Sequence, residues 1–190
     1  MSMPALPTTG WTVDMLETLP DDDGKRYEII DGELFVTPAP GFPHQRALRE
    51  LLMRIHSYLE GSEEAEVIFS PADVRSGART SVQPDLFVMR RPVREGPHGW
   101  PDLETLLLAV EILSPSTARR DRTIKRRLYQ SRGIPEYWIV DLDSRLIERW
   151  RPGDERPEIL EEKLEWRAPG FEEALVIDLA KLFEDIGPTG

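Results

Sequence analysis

No cysteine occurs among the 190 residues. That absence excludes disulfides, thiolate zinc sites and cysteine nucleophiles together. No apolar run approaches the roughly 18 to 20 residues needed to cross a membrane. The opening residues, MSMPALPTTGW, carry neither a basic n-region nor an apolar h-region, so no secretory signal is expected. A cytoplasmic protein without a membrane partner is the expectation. Positive charge is also short: 24 Lys and Arg stand against 35 Asp and Glu, a formal net charge of −11. That balance sits awkwardly with any partner bound through phosphates. Phosphate-cradling GxGxxG and GxxxxGK[ST] loops are missing, as are Gly-x-Ser-x-Gly and any visible Ser/His/Asp arrangement.

What is present describes a globular chain, with 39% hydrophobic and 31% charged residues. Its length suits a single domain with a substantial core. The charge is unevenly spread. Seven basic residues fall between Arg119 and Arg132 with Asp121 the only acid among them, whereas acids gather at 21–23, 60–66 and 155–173. A polyanion partner stays open on that ground.

Thr12 is placed to cap a short helix, VDMLETLP. RYEIIDGELFVTPAP reads as a β-hairpin turning at Asp31-Gly32. Leu48, Leu51, Leu52, Ile55 and Leu59 recur at helical spacing, which predicts an amphipathic helix from His44 to Glu60, stopped by Gly61. Strands are expected at Ala65–Phe69 and Val82–Met89, with a Gly-, Ser- and Arg-rich turn region between them. A further strand covers Leu106–Leu113, and a helix spans about Ala118 to Arg132, with Gly133 at C′. EYWIVDLD and RLIERWRP form a second hairpin through Asp143-Ser144. A short helix is expected near Ile177–Phe183. Strands around two main helices give an α/β (α+β) sheet domain.

One residue stands out in that pattern. Glu111 interrupts LLLAVEIL, a run that otherwise reads as a strand buried on both faces. An isolated carboxylate there costs several kcal/mol unless a cation, a metal or hydrogen-bond donors meet it. Asp85 heads a second apolar strand, in SVQPDLFVM. Two carboxylates on neighbouring strands suit a hard cation such as Mg²⁺, which takes one or two carboxylates and keeps water or phosphate as its other ligands. Lys125, on the helix after the Glu111 strand, could orient or deprotonate a water, or stabilise charge on phosphorus. His44 begins the first long helix, and Glu28 or Glu33 lies on the hairpin before it. Together these residues suffice for metal-assisted phosphodiester hydrolysis.

The string PD–(25 residues)–ExL–SPS–(8 residues)–K, followed by YQSRGIPEYWIVD and preceded by YEIIDGELFVTPAP…H, resembles the Uma-two family, whose members are described as restriction endonucleases. That family lies within the PD-(D/E)xK nuclease superfamily. The resemblance covers about Trp11 to Arg151, leaving 152–190 as a C-terminal extension of one 1–190 domain. It implies a restriction-endonuclease-like mixed β-sheet flanked by helices, and endonucleolytic hydrolysis of DNA with Mg²⁺ or Mn²⁺. Asp85 and Glu111 match the motif's acids as metal ligands, with the Ile112 main-chain carbonyl as a further ligand. The superfamily's usual lysine would fall at position 113, where Leu113 stands; the resemblance transfers its role to Lys125, with His44 and Glu33 (or Glu28) in support.

Blander readings accompany each residue. Glu111 could pair with an arginine such as Arg75 or Arg79, and Asp85 could be a strand-start turn residue. Lys125 could form a surface pair with Asp121, four residues earlier. His44 could be a helix-end residue, and Tyr129 and Trp138 core aromatics. His56 and His98 have no supporting context. A catalytically inactive nucleic-acid- or protein-binding module on the same fold is the alternative function. A homodimer would suit an enzyme that cuts both strands.

Overall fold

The computed structural model describes residues 10–19, 24–92 and 99–188. The acidic turn at 21–23 and His98 lie outside the described residues. After a short helix α1 (Val13–Leu16), β1 (Lys25–Ile30) and β2 (Glu33–Pro38) form the expected hairpin. Asp31 and Gly32 both have positive φ (51° and 85°), the two-residue turn whose twist matches the strands it joins. Thr12 is the N-cap of α1 but makes no side-chain cap hydrogen bond. Helix α2 (Phe42–Leu59) buries Leu48, Leu51, Ile55 and Leu59 of the predicted stripe together with Ala47, while Leu52 is only partly buried.

Next come β3 (Ala65–Phe69), β4 (Val74–Arg75), β5 (Ser81–Val82) and β6 (Leu86–Arg90). β4 falls within the expected turn region. The single strand expected over Val82–Met89 is two strands in two different sheets. Pro84 has no N–H to give a ladder and restricts Gln83 before it, so pairing stops at 83–85 and resumes at Leu86. β7 (Leu106–Ile112) is buried at every residue. A helical run of α3 (Ala118–Arg120), a π turn (Asp121–Lys125) and α4 (Arg126–Ser131) crosses to β8 (Glu136–Asp141).

β9 (Leu146–Trp150), β10 (Glu158–Leu160), β11 (Lys163–Trp166), β12 (Leu175–Asp178) and α5 (Leu179–Ile186) complete the chain. The helix expected at Ile177–Phe183 therefore begins later. Asp178 ends β12 and caps α5, accepting from the Lys181 N–H at 2.9 Å.

The main sheet has the order β10-β9-β8-β7-β6-β3, with β7 and β8 parallel and the other neighbours antiparallel. A smaller sheet has the order β2-β1-β5-β4, and β11 pairs with β12. This mixed sheet flanked by helices is the expected α/β fold. On one face of the main sheet α2 and α5 pack over Leu86, Val88, Leu108, Val110, Trp138 and Val140. Leu164, Trp166, Ile177, Leu182 and Phe183 join that same cluster, so residues beyond 151 help to form the core. The opposite face holds Phe87, Met89, Ala109, Tyr137 and Ile139 with Leu128 and Tyr129 of α4. No described helix is long and apolar enough to cross a membrane.

Candidate active site

Strand alternation decides which polar residues reach the second face. Leu86 pairs with Val110, so Asp85 comes opposite Glu111 at the head of β6. Asp85 shares its side with Phe87 and Met89, and Glu111 shares its side with Ala109, the face covered by α4. On β1, Glu28 pairs with Phe35 and Arg26 with Thr37, so Arg26 and Glu28 project together toward the same space. Glu33 pairs with Ile30 at the turn, about two residues farther along, and is exposed. Of the two hairpin glutamates, Glu28 is brought to the cluster and Glu33 is not.

Asp85 is held at both oxygens. Oδ1 accepts from Arg26 Nη1 at 2.6 Å; Oδ2 accepts from the Ile112 N–H at 2.8 Å and lies 2.9 Å from His44 Nε2. Burial alone would push this carboxyl up. The hydrogen bond and charge of His44, with those of Arg26, outweigh it and hold Asp85 at about 2. His44 sits in the first turn of α2 and is buried.

Glu111 is 3% exposed. Its Oε1 accepts from Lys125 Nζ at 2.7 Å and from the Tyr129 hydroxyl at 3.1 Å. Arg75 and Arg79 are not its partners: Arg75 donates to Asp73 and Arg79 to the Asp31 carbonyl. Burial raises the Glu111 carboxyl well above the ordinary range, helped by Asp121, Asp85 and Glu28 and opposed by Lys125. Glu28, 2% exposed, accepts from the Gln83 N–H at 2.8 Å. It also pairs with Lys125 at 2.7 Å and with Arg120 at 3.2 Å.

The π turn carries Lys125 inward, away from the blander reading of a surface pair with Asp121. π turns open the helix locally and recur at functional positions. Both of its end residues, Asp121 and Lys125, are buried. Lys125 bridges Glu111 and Glu28. Burial works against its charge, yet Glu111, Glu28 and Asp121 outweigh that and push its pKa above the ordinary lysine value. Neither Asp121 oxygen makes a hydrogen bond among the described residues. Burial raises its carboxyl, opposed by the Lys125 charge and the nearby Thr117 hydroxyl.

These groups surround a cavity of about 30 Å³ lined by Arg26, Glu28, His44, Asp85, Glu111, Ile112 and Lys125, with Ser114, Thr117 and Arg120 on its helix side. That space suffices for a water or a single ion. Four carboxylates (Glu28, Asp85, Glu111, Asp121) stand among Arg26, Arg120, Lys125 and His44.

Residues 13–180 match the family described as “Putative restriction endonuclease”, Uma2. The chain belongs to the Uma2 family. A solved Anabaena variabilis ATCC 29413 protein, titled a putative nuclease belonging to DUF820, superposes with a TM-score of 0.75. It is 22% identical, over 93% of this chain and 99% of that one, a likeness of fold. No curated protein matches the chain.

In this Uma2 protein no three His or carboxylate side chains among the described residues form a ready coordination sphere. Mg²⁺ does not require one, since one or two carboxylates with waters suffice. Asp85, held ionised, and Glu111 line the same ion-sized cavity. The donor set fits a hard divalent cation.

Sequence reasoning missed Arg26, the burial of Asp121 and the hydroxyl of Tyr129, whereas Arg120 belongs to the basic run that it singled out. Arg26 was signalled by its two-residue spacing from Glu28. Tyr129 was read as a core aromatic; its ring is one, tilted 46° to that of Tyr137 with centroids 4.7 Å apart, while its hydroxyl reaches Glu111.

Proposed function

We propose that this protein is a divalent-metal-dependent endonuclease that hydrolyses DNA phosphodiester bonds. The observation that carries the reading is the convergence of Asp85, Glu111 and Lys125 on one buried, ion-sized cavity. Folding gains little from burying four carboxylates together, and strongly perturbed acids in a cleft are the arrangement expected of a functional site.

Asp85 and Glu111 would hold Mg²⁺ or Mn²⁺, with the Ile112 carbonyl as a further ligand; when bound, such an ion polarises the phosphate and lowers the pKa of a coordinated water. The chain's own groups divide the remaining work. Lys125, kept charged by Glu111 and Glu28, acts as a cation that stabilises charge developing on the phosphate oxygens, not as a base. Arg120, beside Ser114 and Thr117 at the cavity wall and paired with Glu28, would bind the phosphate. His44 and Arg26 hold Asp85 ionised and oriented. Glu28 pairs with Lys125 as Glu111 does, each at 2.7 Å. Cleavage of both DNA strands by this reading calls for a two-fold homodimer.

One observation favours a second reading, a catalytically inactive binding module. Arg26, His44 and the Ile112 amide already satisfy both oxygens of Asp85. Titration calorimetry with Mn²⁺ separates the two. The nuclease reading expects one site that disappears in Asp85→Asn, together with plasmid cleavage that EDTA stops. Absence of both binding and cleavage would sink it.

A further inference from the structure

A groove of about 640 Å³ opens beside the catalytic cavity and shares Arg26 and Pro40 with it. Ser70 ties the two together. Its N–H donates to the Asp85 carbonyl at 3.0 Å, while its buried hydroxyl makes no hydrogen bond among the described residues. Arg75, whose side chain is 9% exposed, also lines the groove. Its Nη2 donates to Asp73 at 3.1 Å and its Nη1 lies 3.6 Å from Glu17, but Nε and Nη1 complete no hydrogen bond. A buried guanidinium with donors left over is costly, and its planar fork suits a phosphate. Charged residues of both signs line this groove, Lys25, Arg26 and Arg75 with Glu17 and Asp73. Trp100, 37% exposed, forms part of its wall with Tyr27. A space of this size belongs with sites for small molecules, of the order of 300–1,000 Å³, and takes a nucleotide but not a duplex.

We propose that this groove is a nucleotide subsite: Arg75 and Ser70 hold the phosphate next to the scissile one, and Trp100 stacks the attached base. The strand then passes the mouth of the catalytic cavity unpaired at that position. The proposal rests on the nuclease reading for the identity of its ligand, and it names the substrate's local form. Stacking platforms beside basic grooves bind single strands in this way.

The test is binding without cleavage. Anisotropy of a short fluorescein-labelled oligothymidine and of a blunt duplex is measured on the full chain in EDTA. Wild type should prefer the oligothymidine. Trp100→Ala should weaken that binding roughly ten-fold and leave duplex binding unchanged. Arg75→Gln should weaken it and flatten its salt dependence by about one phosphate contact. Ser70→Ala should weaken it more modestly, and should Arg75→Gln fail to fold, the Trp100 and Ser70 variants carry the test. Binding that depends on Trp100 supports the subsite even if wild type cuts nothing, an outcome that defeats the nuclease reading alone. No oligothymidine binding, or equal binding by wild type, Trp100→Ala and Ser70→Ala, overturns the subsite even if DNA is cleaved.

Discussion

Glu111→Gln should make this protein more stable while abolishing its activity. Gln is nearly isosteric and keeps an oxygen to accept from Lys125 and Tyr129, so no cavity opens. It removes a carboxylate whose charge is disfavoured by burial and by the neighbouring Asp121, Asp85 and Glu28. Lys125 retains Glu28 at 2.7 Å as a counter-ion. The sign follows from the pKa. Glu111 is raised in the folded state, so the stability it contributes is present below its ordinary value of 4.5 and is lost as pH rises through the folded value. Gln does not titrate, so the variant should match wild type near pH 5 and exceed it at pH 8. Single stabilising substitutions commonly gain about 0.5–2 kcal/mol. For a chain of this size about 1 kcal/mol raises Tm by roughly 2–4 °C. Thermal unfolding followed by circular dichroism at the two pH values reads the effect. A loss of about 3–5 kcal/mol at pH 8, the cost of breaking a buried pair from one side, would show that Glu111 is a structural counter-ion to Lys125.

Asp85→Asn should act in the opposite direction on stability. A carboxyl held at about 2 instead of 3.8 contributes about 2 kcal/mol at neutral pH, present above pH 4 and lost as pH falls toward 2; chemical denaturation at pH 7 should show that deficit. Lys125→Met leaves Glu28 and Glu111 facing each other without their ammonium, and should cost about 3–5 kcal/mol by the same assay. Mn²⁺ affinity, measured by calorimetry between pH 5 and 8, should rise with pH, because a proton on Glu111 competes with the metal. Truncation after Arg151 removes Trp166, Leu182 and Phe183 from the core cluster, and should yield a protein without a cooperative thermal transition.

The hairpin, α2 and the buried β7 were legible because each rests on a local signal: Asp31-Gly32, a helical leucine stripe and an unbroken apolar run. The break at Pro84 was written in the chain too, but the apolar residues on either side read as one strand, and only the sheet partners show that they diverge. β10, β11 and β12 were hidden by the acidic tail, where Glu161, Glu162 and Glu165 mask a short alternation. At the site, the buried acid in β7 pointed to its own neighbourhood. The choice between Glu28 and Glu33 needed the register, since both lie on one face of the hairpin and differ only in distance along it. The inward aim of Asp121 was invisible for a related reason. Four-residue spacing to a lysine fits a surface pair equally well, and the π turn carries no clear signature in composition.

The central claim is that Asp85 and Glu111 share a divalent metal, and a crystal soaked in Mn²⁺ tests it most directly. One anomalous peak is expected between strands β6 and β7, with an oxygen of each carboxylate at about 2.0–2.2 Å. A soaked crystal with no peak there, Asp85 still bonded to Arg26 and Glu111 to Lys125, would contradict the account.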